Sequence, residues 1–166
     1  MQIYMNSLAK IKTLEELEKI VGELKNKRKK IVFTNGAFDI LHLGHIIYLE
    51  KSKELGDILI VGLNSDDSIK KYKSRDRPIN KQEDRAYLLG ALESVDYVVI
   101  FDNDKPLDLI KRLQPDIKVK GGSYDEERVR EEDKAVKSYG GRCIYLPMIE
   151  DYSTTSIINK IRNNSR

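Results

Sequence analysis

Residues 58–63 read Ile-Leu-Ile-Val-Gly-Leu, a run without one polar side chain. A strand with one wet face would place a polar residue at every second position. A strand covered on both faces needs an unbroken apolar run of this kind. Gly56-Asp57 before it and Asn64-Ser65 after it hold it to strand length. Cover for both faces is encoded on either side. Apolar runs at 31–35, 97–101, 117–120 and 143–146 alternate with helical patterns at 14–27, 44–55, 81–92, 106–113, 126–139 and 153–162. Strand-helix alternation predicts an α/β fold: a Rossmann-like, doubly wound sheet of about five parallel strands, with right-handed crossovers and helices on both faces.

Local signals refine the pattern. Thr13-Leu14-Glu15-Glu16 is a capping box, and Leu14, Leu17, Ile20, Val21 and Leu24 follow it at helical spacing. Residues 1–12 read as irregular, and 65–80 as a short helix followed by a mobile loop. On one face of 81–92 the pattern sets Leu88, Leu89 and Leu92, and Pro106 is expected in the first turn of its helix. A length of 166 residues suits one domain, with 1–30 as a helical extension and 31–162 as the core.

Composition excludes some functions. A net charge of +3 with no long basic block gives no footing for nucleic acid, and Lys27-Arg28-Lys29-Lys30 reads as a solvated linker. No apolar stretch reaches bilayer length, and the N-terminus lacks the order of a signal peptide. Cys143, the single cysteine, cannot form an internal disulfide and sits in an apolar strand. These features predict a cytoplasmic protein without membrane attachment.

Ligands of such sheets bind beyond the carboxyl ends of the strands, where strand order switches. His42 and His45, the only histidines, follow 31–35; Asn64 follows 58–63; Gly121-Gly122 follow 117–120; Ser153-Thr154-Thr155-Ser156 follow 143–146. All fall at one end. Glycines at a strand-to-helix junction expose backbone N–H groups to the positive end of a helix dipole, a setting that binds phosphate. Two imidazoles there could grip phosphate oxygens as charge builds. The alternatives are that they cap and pack, or that they ligate a metal, for which no third ligand is marked. Neither G-x-x-x-x-G-K-[ST] nor G-x-G-x-x-G occurs.

The run Thr34-Asn35-Gly36-Ala37-Phe38-Asp39-Ile40-Leu41-His42-Leu43-Gly44-His45 resembles the signature of the HxGH nucleotidyltransferases, the cytidylyltransferase-like superfamily, and Ser153-Thr154-Thr155 resembles their second signature. Within that superfamily, Val61-Gly62-Leu63-Asn64-Ser65-Asp66, Arg77-Pro78-Ile79-Asn80, Glu83-Asp84-Arg85 and Val119-Lys120-Gly121-Gly122 resemble the heptose 1-phosphate adenylyltransferases, which make ADP-heptose for lipopolysaccharide. The similarity spans residues 30–162. That family often forms the carboxyl half of a bifunctional protein whose other half is a sugar kinase. The resemblance therefore implies a stand-alone adenylyltransferase, with a separate sugar kinase supplying its substrate.

The implied reaction joins ATP and heptose 1-phosphate to give ADP-heptose and pyrophosphate, with Mg2+ carried on the ATP phosphates, no protein metal site, and a homodimer served by apolar positions on the first helix. By the same resemblance, His42, His45, Lys73 and Arg85 are the catalytic set, Lys71 being the alternative to Lys73. Nucleotide contacts fall to Thr34, Asn35, Gly36, Ala37, Phe38, Gly44, Gly121, Gly122, Ser153, Thr154 and Thr155, and acceptor contacts to Asp39, Asn64 and Lys120. Asp39 has the alternative of holding the glycine turn. Two positions depart from the family: Ser123 stands where aspartate is common and Ala37 where cysteine is frequent. Competing readings are a cytidylyltransferase for glycerol 3-phosphate, a guanylyl enzyme for a related heptose phosphate, and a non-catalytic nucleotide-binding module.

Overall fold

Strand β1 (Ile31–Gly36) lies at the centre of the sheet in this computed structural model, which describes residues 3–72, 76–122, 126–147, 149 and 152–164. Strands β2 (Ile58–Asn64) and β3 (Tyr97–Phe101) lie to one side of it, and β4 (Ile117–Gly121) and β5 (Arg142–Leu146) to the other. The order is β3-β2-β1-β4-β5 and every pairing is parallel, with Thr34 opposite Val61 and Lys118 opposite Cys143.

The unbroken apolar run of β2 is used as its composition requires. Leu59, Val61 and Leu63 point into one core with Val32, Ile117 and Val119, covered by Leu49 of α3 (Leu43–Lys53) and Leu89 of α5 (Gln82–Gly90). Ile60 points to the opposite face with Ile31, Phe33 and Val99. There the cover is α2 (Leu14–Asn26), α6 (Leu107–Leu113) and α7 (Glu126–Ser138). A buried ion pair, Lys118 of β4 with Glu132 of α7, lies on that second face.

The helix predicted at 14–27 forms with its capping box: Glu16 N donates to Thr13 Oγ1 at 3.2 Å and Thr13 N to Glu16 Oε2 at 2.8 Å. Its apolar stripe is occupied within the chain, because Leu17 and Val21 are buried in the second core.

Three local readings change. Residues expected to be irregular form α1 (Ile3–Ala9), and the α-carbon of Gly90 sits against it so closely that a Cβ there would lie 2.7 Å from the Ser7 carbonyl oxygen. Leu88 is 45% exposed, because α5 turns Ala86 and Leu89 inward instead. Pro106 caps α6 rather than entering its first turn. Between α1 and α2 the chain runs beside β3. Val98 N donates to Lys10 O and Lys12 N to Val98 O, both at 2.9 Å, so residues 10–12 pair with the outer edge of that strand.

The basic stretch after β2 begins as α4 (Asp66–Tyr72), and the last helix is α8 (Thr154–Asn164). No described helix is long and apolar enough to cross a membrane.

Candidate active site

The chain leaves β1 toward β2 and β3, then crosses back to β4 and β5. A crevice opens at this switch, beyond the carboxyl ends of β1 and β4. Its volume is about 370 Å3. The same crevice is lined by His42, Gly44 and His45 at the start of α3, by Lys120, Gly121 and Gly122 at the end of β4, and by Ser153, Thr154 and Thr155 at the start of α8. Asn35, Gly36, Ala37, Phe38 and Asp39 line it as well. The two sequence signatures, more than a hundred residues apart, thus meet in one cavity.

The histidine pair follows from the local backbone. His42 is the N-cap residue of α3, with extended φ −144° and ψ 168°. Its carbonyl accepts from His45 N at 2.9 Å, while its side chain makes no cap hydrogen bond. The imidazole is therefore not used as a cap. It stacks on His45, ring centroids 3.7 Å apart and planes 22° from parallel. Phe38 backs His45 at 5.2 Å and holds φ +44°, a strained backbone for a bulky side chain.

Glycine is required at two places. A Cβ on Gly44 would lie 2.8 Å from Tyr152 Cβ and 3.1 Å from His42 Nδ1, so the bare α-carbon lets the approach to α8 close on the histidines. A Cβ on Gly121 would lie 2.5 Å from Tyr48 Cε2. Tyr48 in turn shares a 2.6 Å hydrogen bond with Thr34 Oγ1, which ties α3 to β1 while its ring rests on β4. Burial pushes the Tyr48 phenol up to about 12, so it stays protonated.

At α8, Ser153 Oγ accepts from Ser156 N at 3.0 Å and caps the helix. Thr154 and Thr155 are thus not needed as the cap, and the helix start presents first-turn N–H groups that have no intrahelical partner. Arg77 and Lys120 bring positive charge. Asp39 is the one acid among the described lining residues, and its carboxylate is fully engaged: Arg77 Nε donates at 2.6 Å, Ile79 N at 2.7 Å and Asn80 N at 3.0 Å. Two helix N-termini and two cations around one neutralised carboxylate make a cavity suited to polyanions. Among the described residues no cluster of three or more His, Cys, Asp or Glu is arranged to hold a metal ion.

Three expected site residues lie elsewhere. Arg85 is 0% exposed and does not reach the cavity. Its Nη1 donates to Ala37 O at 2.6 Å and Asn64 O at 2.9 Å, its Nε to Asn80 O at 3.0 Å, and its Nη2 to Asp66 Oδ1 at 2.6 Å. It binds together the segments behind the cavity wall. Asn64 is buried too, with Nδ2 donating to Ser68 Oγ at 3.0 Å, and the Thr34 hydroxyl is taken by Tyr48. Lys73 and Ser123 lie outside the described residues. Asp39 reaches the wall, but its carboxylate holds Arg77 and the backbone of Ile79 and Asn80 rather than the glycine turn.

The cavity also includes residues not foreseen: Tyr48, Arg77, Pro147, Ile149 and Tyr152. Tyr48 was legible as the position three after His45, on the same helical face. Tyr152 directly precedes the hydroxyl run.

Burial holds the His42 imidazole below the ordinary histidine value of 6.5. The unfolded chain then binds a proton at a pH where the folded chain does not. This contribution to stability is full above the ordinary value and declines as pH falls through the lower folded one. Urea midpoints measured downward from pH 7 should fall with that slope, and His42→Ala should flatten it; an unchanged slope in the variant would assign the effect to other groups.

Comparison with known proteins agrees with this geometry. The Cytidylyltransferase-like family profile matches residues 33–160. The bifunctional protein HldE of Aliarcobacter butzleri is 50% identical over 161 residues, covering 97% of this chain and 33% of that protein. HldE of a Nitratiruptor species is 54% identical over 153 residues, covering 92% and 32%. The chain thus spans about a third of the length of these curated relatives. A lipopolysaccharide core biosynthesis protein from Thermoplasma volcanium superposes with TM-score 0.61 at 28% identity, covering 75% of this chain and 99% of that one. A pantoate-beta-alanine ligase from Francisella tularensis, solved with beta-gamma ATP and beta-alanine, shares the fold at TM-score 0.62 and 18% identity, covering 92% and 77%. With both signatures in one crevice and the family profile running across the whole sheet, the chain belongs to the cytidylyltransferase-like family.

Proposed function

We propose that the chain transfers AMP from ATP to heptose 1-phosphate, giving ADP-heptose and pyrophosphate for lipopolysaccharide core precursors. The observation that carries this reading is the meeting of stacked His42 and His45 with the α8 start in one cavity. An oxygen of the sugar phosphate attacks the α-phosphorus of ATP. The new P–O bond forms as the bond to the bridging β-phosphate oxygen breaks, and the electron pair leaves with pyrophosphate. The attacking oxygen is already ionised, so no base is required; positioning and charge stabilisation do the catalysis. His42 and His45 donate to the phosphates as charge moves onto the leaving group. The start of α8, with Thr154 and Thr155, holds the β- and γ-phosphates, and Mg2+ enters with ATP as part of the substrate. Asn35 to Phe38 and Gly121-Gly122 border the nucleotide, and Lys120 adds charge beside it.

The HldE relatives and the lipopolysaccharide core biosynthesis protein of Thermoplasma volcanium support the heptose assignment. The same reading places the enzyme in the cytoplasm, downstream of a sugar kinase, and as a homodimer. Supporting the dimer is α8, none of whose residues is buried within the chain and whose Ile161 is exposed.

The test is pyrophosphate release from ATP, CTP and GTP against a panel of sugar and polyol phosphates. ATP with heptose 1-phosphate should exceed every other pair by at least about tenfold in kcat/KM. A dominant signal from CTP with glycerol 3-phosphate would replace the substrate assignment.

A further inference from the structure

We propose that Arg77 binds the phosphate of the acceptor, on the wall of the cavity facing the nucleotide, and that Asp39 is the positioning residue that holds it there. The proposal rests on the adenylyl-transfer reading and extends it to the second substrate.

Arg77 lines the cavity with a side chain 14% exposed. Asp39 beside it is 1% exposed and grips one edge of the guanidinium, taking Nε at 2.6 Å. The two terminal nitrogens have no hydrogen-bond partner among the described residues. A guanidinium fixed at Nε presents a pre-oriented pair of donors, matched to two oxygens of one phosphate.

Its support is built from buried polar groups. Asp39 accepts from Ile79 N and Asn80 N as well, and Asn80 Nδ2 donates to Asp39 O at 2.6 Å. Arg85, buried behind, ties Asn80 O to Ala37 O and Asn64 O. Two buried charged side chains therefore converge on residues 77–80. A network so completely paired fixes a geometry in a way that a solvated loop does not.

Topology sets the direction. Arg77 arrives on the connection between α4 and α5, in the β2–β3 half of the chain, whereas Gly121, Gly122 and Thr155 arrive from the β4–β5 half. The imidazoles stand between, at the start of α3, which follows the central strand β1. Displacement at the α-phosphorus needs the entering and leaving oxygens on opposite sides. With the leaving phosphates on the histidines and the α8 start, the entering phosphate falls on the Arg77 side. Two polyanions repel at this range, and a fixed cation on the acceptor lowers that repulsion where the nucleotide's own contacts cannot.

The wild type, Arg77→Lys, Arg77→Ala and the double variant Arg77→Gln/Asp39→Asn are compared by pyrophosphate release at varied ATP and varied acceptor. Inorganic phosphate is also titrated calorimetrically into each protein loaded with a non-hydrolysable ATP analogue. Arg77→Ala should raise the acceptor KM at least about 30-fold while the ATP KM moves less than about threefold, with Arg77→Lys intermediate. Phosphate binding should disappear with analogue binding intact. Should Arg77→Ala not fold, the double variant decides, since it removes both charges together and strands no buried carboxylate. An acceptor KM within threefold of wild type in a folded variant, or equal rises in both KM values, would overturn the proposal. A wild type that releases no pyrophosphate with any acceptor defeats the reaction itself, and the phosphate titration then still decides the role of Arg77.

Discussion

His42→Ala is expected to lower kcat by about 100- to 1000-fold, the usual effect of removing one preorganised donor aimed at charge that develops in a transition state, while the ATP dissociation constant changes less than about threefold. The asymmetry comes from the site. In the proposed reaction the α8 start, Lys120 and the glycine-lined strand ends hold the nucleotide in the ground state, whereas the stacked imidazoles face charge that grows only as pyrophosphate departs. His45→Ala should act similarly, and the double variant should lose little more than either single one, because the stacked pair works as a unit. Single-turnover rates and equilibrium ATP binding on the same preparations check this. A parallel loss of rate and affinity would mark the pair as a binding element, and an unchanged phenotype would mark a nucleotide-binding module without chemistry.

The second large effect is on stability. Arg85→Ala should lower the unfolding free energy by about 3–5 kcal/mol, as removal of one partner from a buried ion pair does. The substitution strands the carbonyls of Ala37, Asn64 and Asn80 and removes the partner of Asp66, all held by one guanidinium. Arg85→Lys should recover only part, since one ammonium cannot span Ala37 O, Asn80 O and Asp66 Oδ1 with the reach of a planar fork. Urea unfolding gives the number, and kcat of the folded fraction separates the roles. A folded Arg85→Lys enzyme with near-normal turnover confirms a structural arginine; a loss below about 1 kcal/mol in Arg85→Ala would contradict the network described.

Much of the architecture was legible because period and punctuation agree. The unbroken apolar run of β2, the capping box of α2 and the glycines closing α3 and α7 each point to one local structure. Helix α1 was not legible: seven residues without a cap signal form a short helix, packed closely against Gly90 of a distant segment. The site divides in the same way. Imidazoles, glycines and hydroxyls at strand ends were placed by topology alone. Arg85 and Asn64 were misplaced, because whether a polar side chain faces the cavity or the space behind it depends on partners far off in the chain, such as Ala37 and Asn103, that no local pattern marks. At Gly121 what presses on the α-carbon is the Tyr48 ring, a contact no local pattern marks, while Gly122 carries φ +81°. Arg77 was visible only as part of a motif, since its meaning comes from the carboxylate of Asp39 beneath it.

Residues 10–12 occupy the outer flank of β3, where Val98 gives both its backbone groups to Lys10 and Lys12. Lys10 Nζ anchors the segment, donating to Leu92 O at 3.0 Å and Val95 O at 2.7 Å. A bare strand flank is a template for another polypeptide. These few residues therefore occupy backbone groups on that flank with which a second polypeptide would otherwise pair, from a stretch remote from the cavity.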